Sequence, residues 1–439
     1  MARPRKNVVK DQNALLTPDN VVEIPVEEQP YPLPEGWKWV RLHNLCSLRN
    51  GKAFKPSDWS DSGLPIIRIQ NLNNPDSKFN YYSGYIEDRF LISSGDVLFA
   101  WSGTPGTSFG AHIWYGGKAV LNQHIFRIDF KGKVILKSFF RYSINCRLEE
   151  LIAKAHGGAG LQHVTKGVFE NTPIPLPSID EQQRIVDRIE SLFAKLDEAR
   201  EKAEAVLDGF ESRKAAILHK AFTGELTAKW REKNGLKKEN KAIKIKDILL
   251  DIKYGTSEKS DYTYTGLPVI RIPNIIDNTI DLDDLKFLKS NDSSNYDLVE
   301  KNDILMIRSN GSRELVGKCA LVDETIVGKA YASFLIRLRP KKSVNAKYLL
   351  NFMSSSLARN QLFSKTKSSV GINNINSKEI CSVDIWLPTT EEQQEIVRTL
   401  DTLLEKERQV KEAAEDVLER IDLMKKAILA KAFRGELTR

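Results

Sequence analysis

No two of the chain's four cysteines, Cys46, Cys146, Cys319 and Cys381, lie close together, and none forms a CxxC pair. That spacing argues against a metal knot or a disulfide framework and for incidental or buried thiols in a reducing compartment. The six histidines, His43, His112, His124, His156, His163 and His219, show no metal-ligand spacing. There is no Walker A loop and no GxGxxG turn. An amino-methyltransferase would carry a Pro-Pro-Tyr/Phe tetrapeptide, and Asn73-Asn74-Pro75-Asp76 is not one. Asp76 and Lys78 alone are too little for a nuclease carboxylate cluster, and no nucleophile elbow is present. No apolar run approaches the roughly 20 residues needed to span a bilayer. Arg3, Arg5, Lys6 and Lys10 lead into a polar stretch rather than a signal-peptide core, so the expected compartment is the cytoplasm. By itself the chain reads as non-catalytic, with no cofactor or metal of its own.

What is present is charge arranged in blocks. Residues 1–34 carry a net −1, 35–173 a net +6, 174–227 a net −3, 228–384 a net +8 and 385–439 a net −2. Two basic blocks alternating with acidic ones suit a polyanion bound by two separate surfaces. A chain of 439 residues has room for two or three domains, each with its own core.

The chain also contains itself twice. Residues 174–227 and 385–438 align without a gap at an offset of 211, with 26 of 54 positions identical. Both copies hold Glu-Gln-Gln (181–183 and 392–394), and they end in Lys220-Ala221-Phe222-Thr223-Gly224-Glu225-Leu226-Thr227 and Lys431-Ala432-Phe433-Arg434-Gly435-Glu436-Leu437-Thr438. The blocks before them repeat more faintly: Gly63 to Asn71 echoes Gly266 to Asn274, and Gly95 to Phe99 echoes Asn302 to Met306. The domain order is then a disordered tail (1–33), a recognition block (34–173), a helix and linker (174–235), a second recognition block (236–384) and a second helix (385–439).

Ser178 with Glu181, and Thr389 with Glu392, form S/T-x-x-E capping boxes that start the helices. An apolar stripe follows at alternating four- and three-residue spacing. It includes Ile185, Leu192, Leu196, Val206 and Phe210 in the first copy and Ile396, Leu403, Val410, Val417 and Ile421 in the second. Such a stripe predicts a coiled-coil seam, each helix running for about 40 residues and on the order of 60 Å. The nearest partner for each stripe is the other copy, antiparallel. Glu407 interrupts the second stripe where the first has Leu196. Gly224 and Gly435 suit C-terminal caps. The fold class is α+β: two globular recognition domains joined and spaced by two long antiparallel coiled-coil helices, related by a pseudo-two-fold repeat.

In the recognition blocks the pattern changes to short strands, among them Asp96 to Trp101 and Ile304 to Arg308, with helices near 138–155 and 346–363. The loops carry Arg68, Gln70 and Asn71, then Trp101, Ser102 and Thr104, then Gln123 and His124, then Gln162 and His163. In the second block they carry Arg271 and Asn274, then Arg308, Ser309, Asn310 and Arg313, then Asn373 and Asn374. Arg pairs bidentately with guanine, and Asn or Gln with adenine, in the major groove. These eighteen residues are the candidate DNA contacts.

Two halves, each a variable block followed by a helix opening Leu-Pro-x-x-x-Glu-Gln-Gln and closing Lys-Ala-Phe-x-Gly-Glu-Leu-Thr, resemble the specificity (HsdS) subunits of type I restriction-modification systems. Pro34-Glu35-Gly36-Trp37 resembles their usual opening. The resemblance implies that each recognition block reads one half of a split, asymmetric double-stranded DNA site. It implies that the helices set the spacing and dock modification subunits, which carry S-adenosylmethionine and methylate adenine, and that restriction subunits join to cut DNA. Two other readings fit the residues: a specificity subunit of another methylase or phage-defence complex, and a coiled-coil adaptor without sequence-specific DNA binding.

Overall fold

Short apolar strands, continuous and buried throughout at Val97–Ala100 and Ile304–Ile307, pair within each recognition block to give two copies of the same sheet. The computed structural model describes residues 16–74, 76–103, 109–154, 156–158, 161–238, 242–364 and 373–437, and nothing of the side chains of residues 156–158, 161 and 162. In the first copy an antiparallel sheet runs in the order Cys46–Asn50, Ile125–Phe130, Val97–Ala100, Gly110–Ile113; in the second it runs Leu249–Tyr254, Leu335–Pro340, Ile304–Ile307, Cys319–Leu321. Beside each lies a smaller sheet with one parallel pairing, Leu64–Ile67 with Ala119–Leu121 and Pro268–Ile270 with Ala330–Tyr331. The faint sequence echo is therefore a repetition of the four-stranded sheet and of its parallel neighbour, which has four strands in the first copy and three in the second.

The chain divides into two compact units, residues 1–202 with 417–439, and residues 203–416. Each unit holds one recognition block, the start of the helix that follows it, and the end of the other helix. In the first unit Ile185, Val186 and Ile189 join one core with Ala432 and Phe433. In the second, Ile396 and Leu400 do so with Leu218, Ala221 and Phe222. This explains why the two helical copies are most alike at their ends: those ends complete a core. Both close on a left-handed glycine, Gly224 (φ 78°) and Gly435 (φ 74°). The Glu436 amide returns to the Lys431 carbonyl at 2.9 Å, the closure expected of a Schellman cap, while in the first copy the Leu226 amide, one residue further on, reaches the Lys220 carbonyl at 3.0 Å. At the starts, the Ser178 and Thr389 hydroxyls each accept the amide three residues on, at 3.3 Å.

The second helix runs unbroken from Thr390–Phe433, 44 residues. The first departs from expectation by dividing at Gly209 into Ile179–Asp208 and Phe210–Phe222. The Arg213 guanidinium donates to the Val206 carbonyl at 3.0 Å, the carbonyl that the Phe210 amide would use in an unbroken helix. The second copy has Arg420 and Met424 at the matching positions and no break. Within the first unit Arg200 pairs with Asp422 and Lys425 with Asp197; within the second Arg213 pairs with Glu407 at 2.7 Å. The two pairs of the first unit run antiparallel. Of the stripe residues, Ile185, Ile396 and Ile421 are buried, and Leu192, Leu196, Val206, Phe210 and Leu403 are half-buried. Val410 and Val417, expected in the seam, are exposed, because they lie between the two helix ends that the cores cover.

Two further expectations need correction. The tail assigned to residues 1–33 packs against the first unit from Leu16 onward. Val21 and Ile24 are buried, the Ile24 amide donates to the Trp39 carbonyl at 2.9 Å, and the Tyr31 hydroxyl donates to the Phe433 carbonyl at 3.1 Å. Its apolar residues thus have a core to enter, and residues 1–15 lie outside the described residues. Each helix expected in a recognition block is two short ones, Lys137–Cys146 with Leu148–Ala153 and Ala346–Ser354 with Ser356–Ser364. Among the described residues no helix is long and apolar enough to cross a membrane, and no group of His, Cys, Asp or Glu could hold a metal.

Candidate nucleic-acid interface

The helices are seated by a residue that the loop-centred reading missed. Gln182 is fully buried: its amide oxygen accepts the Leu136 N–H at 2.8 Å, and its nitrogen donates to the Val134 and Pro177 carbonyls, both at 2.9 Å. Gln393 repeats this on the Asn345 N–H and the Ser343 and Pro388 carbonyls. Repetition of Glu-Gln-Gln in the sequence was the signal for it. A second duplicated device lies in the sheets. Arg127 pairs with Asp96 and Asp129, and at the matching position the fully buried Arg337 pairs with Asp251, Asp297 and Asp303. Both tie the central strands together towards the end of the sheet opposite the loops at Trp101 and Arg308.

On this frame, loops separated by some sixty residues meet. Ser102 and Gly103 pair antiparallel with His163 and Gln162, and Ser309 and Asn310 pair with Asn374 and Asn373. The backbone contacts around them match. The Trp101 amide donates to His124 at 3.2 Å, and the Arg308 amide to Phe334 at 2.9 Å; Val164 donates to Trp101 and Ile375 to Arg308. Trp101 and Arg308 are therefore equivalent positions in the two units, as are His124 and Phe334, and His163 and Asn374.

The side chains at those positions differ. Trp101 stacks on Phe126 at 5.5 Å between centroids, with His124 and His163 tilted against it at 5.5 and 5.7 Å. Burial, with His163 adding to it, holds the His124 pKa below its ordinary value, which favours the neutral ring. Arg308 instead lies over the Tyr254 ring at 4.7 Å and donates to the Ser333 carbonyl at 3.2 Å. Phe334 beside it is 56% exposed, and Arg313 is exposed over Phe363 at 5.2 Å. The Asn310 side chain caps its own turn by accepting the Ser312 N–H at 2.8 Å, and Asn373 donates to Gly311 at 3.3 Å.

Several candidates are occupied by the frame itself. Asn71 is buried, accepts the Arg68 N–H at 3.0 Å and donates to the Ser77 and Lys78 carbonyls. Asn274 does the same for Arg271 at 2.8 Å and donates to the Asp281 and Asp284 carbonyls, both at 2.9 Å. With every polar atom engaged, neither has an edge left for a base, and their expected contact role is withdrawn. The Arg271 guanidinium is committed to the Asp284 carbonyl and carboxylate, both at 3.0 Å. Ser102 is buried. Thr104 lies outside the described residues, and of Gln162 only the backbone is described. Arg68 stays half-buried over Trp59 at 5.6 Å, while Gln70 and Gln123 are exposed. These three residues line a pocket of about 240 Å³ together with Phe54, Trp59 and His124.

Comparison with known proteins agrees with the duplication. The model of the type I restriction modification DNA specificity domain matches residues 34–206 and again 237–420. The chain is 29% identical over 428 residues to the type I restriction enzyme EcoKI specificity subunit of Escherichia coli (strain K12), covering 92% of this chain and 90% of that one. It is 24% identical over 415 residues to the MjaVIII specificity subunit of Methanocaldococcus jannaschii, covering 89% and 92%. Among solved structures, the HsdS subunit from Thermoanaerobacter tengcongensis shares its fold at a TM-score of 0.61 and 22% identity, over 93% of this chain and 99% of that one. A chain from a structural study of complex assembly and conformational transition in a type I restriction-modification system does so at 0.71 and 22%, over 93% and 100%. With both of its copies matched, the chain belongs to the type I restriction modification DNA specificity family.

Proposed function

We propose that the chain is the sequence-specific, double-stranded DNA-binding subunit of a type I restriction-modification enzyme, each unit reading one half of a bipartite, asymmetric site. The observation that carries this is the equivalence of Trp101 and Arg308: one backbone frame, built twice, presents different side chains at the same loop positions. A duplicated frame with unlike reading groups is what a site with two unlike halves requires. The basic charge of both recognition blocks supplies phosphate attraction, and the acidic helical segments, which repel phosphate, suit protein contact. In this reading the helical segments fix the distance between half-sites and dock modification subunits. Those subunits hold S-adenosylmethionine and methylate adenine after flipping it from the stack. Restriction subunits join them, and the chain itself performs no chemistry and works in the cytoplasm.

The test is co-expression with its modification subunit in a methylation-free host and mapping of N6-methyladenine across the genome. The reading expects one motif of two short defined halves around an undefined spacer. Complex formation without methylation would point to another effector, and absence of any complex to an adaptor.

A further inference from the structure

The two units can be compared position by position to ask which side chains are able to tell one half-site from the other. Arg68 and Asn71 recur as Arg271 and Asn274, with the same asparagine cap on the same backbone amide. An asparagine that is identical in both units and held in the same way cannot distinguish two different half-sites. Between these fixed points stand Gln70 in the first unit and Pro273 in the second. The next strand gives a second contrast. The Asn122 amide donates to the Ile67 carbonyl at 3.1 Å and the Ala332 amide to that of Ile270 at 2.9 Å, so Gln123 corresponds to Ser333.

Gln70 and Gln123 line the same pocket, and both are exposed. The Gln123 nitrogen lies 3.2 Å from the His124 Nε2. Where Nε2 carries the imidazole lone pair it accepts one N–H of Gln123. That fixes the carboxamide and leaves its oxygen and second N–H directed elsewhere. One acceptor and one donor in a plane is what the major-groove edge of adenine requires, through its N6 amino group and N7. Pro273 has no side-chain donor or acceptor, and a serine hydroxyl cannot make the planar bidentate pair.

We propose that Gln70 and Gln123 are the specificity-determining pair of the first unit and read adenine edges in its half-site, whereas the second unit, lacking both, discriminates through other residues. The proposal rests on the reading of the chain as a DNA specificity subunit. Its test is adenine-methylome mapping of the full complex carrying Gln70→Ala, Gln123→Ala or Gln123→Glu. The alanine variants are expected to make an A·T position degenerate in the half-site that changes when residues 35–173 are exchanged. Discrimination there falls by about 10- to 100-fold and the other half stays intact. Gln123→Glu is expected to shift preference towards C·G, because a carboxylate accepts from the cytosine amino group and repels adenine N7. A purely structural role would not produce that shift. An unchanged motif in all three variants would overturn the proposal, as would degeneracy in the other half, or loss of all methylation by an intact complex. A wild-type complex with no split motif would instead defeat the DNA-specificity reading itself.

Discussion

Glu407 accepts a hydrogen bond from the Arg213 Nε at 2.7 Å, and the same guanidinium holds the Val206 carbonyl at the break in the first helix. A carboxylate in the middle of an apolar stripe is thereby paired with a cation that only the first helical copy supplies. Glu407→Ala leaves a half-buried arginine without its partner and is expected to destabilise the second unit by about 1 kcal/mol, read from the midpoint of thermal unfolding. The double variant Arg213→Leu with Glu407→Leu is expected to equal or exceed the wild type, since apolar replacement removes both desolvation penalties. A double variant less stable than Glu407→Ala would count against this pairing.

Gln182 should be among the least replaceable residues in the first helical copy. Gln182→Ala strands one buried amide and two carbonyls and is expected to lower stability by about 3 kcal/mol in denaturant unfolding. Gln182→Glu keeps the acceptor for Leu136 but cannot donate to Val134 or Pro177, so it should be no better than alanine.

The division between frame and reading residues also predicts which substitutions leave sequence preference alone. Asn274→Ala is expected to reduce stability by about 2 kcal/mol through unpaired buried carbonyls while the methylated motif stays the same. Arg308→Ala is expected to keep the fold and relax one position of one half-site, by about 1–3 kcal/mol in binding discrimination. Equal loss at both half-sites would show that Arg308 lies elsewhere than at a reading loop.

Acid should weaken the first unit through His112. Burial, helped by Arg141, pushes its pKa down to about 4 from an ordinary 6.5. The unfolded chain therefore binds a proton that the folded one refuses between those values. Stability is complete above about 6.5 and falls as pH drops towards 4, by on the order of 3 kcal/mol. His112→Gln should flatten this part of the pH profile of thermal unfolding, and an unchanged profile would contradict the assignment.

The duplication, the caps at Ser178, Thr389, Gly224 and Gly435, and the strands of the recognition blocks were legible in the sequence because each depends on local chemistry or on repetition. The break at Gly209 was not, because it depends on where the Arg213 side chain folds back. Nor were the roles of Asn71 and Asn274. An asparagine that reads a base and one that caps a turn look alike in sequence, and only the backbone atoms around it tell them apart. The stripe at Val410 and Val417 shows the opposite limit: apolar spacing marks a face and does not say what covers it.

The central claim, that each unit reads its own half-site, is tested most directly by exchanging residues 35–173 for the corresponding segment of a relative with a different target and mapping adenine methylation. The account predicts a hybrid motif in which one half changes and the other half is retained. Both halves changing together, or neither changing in a folded and active complex, would contradict it.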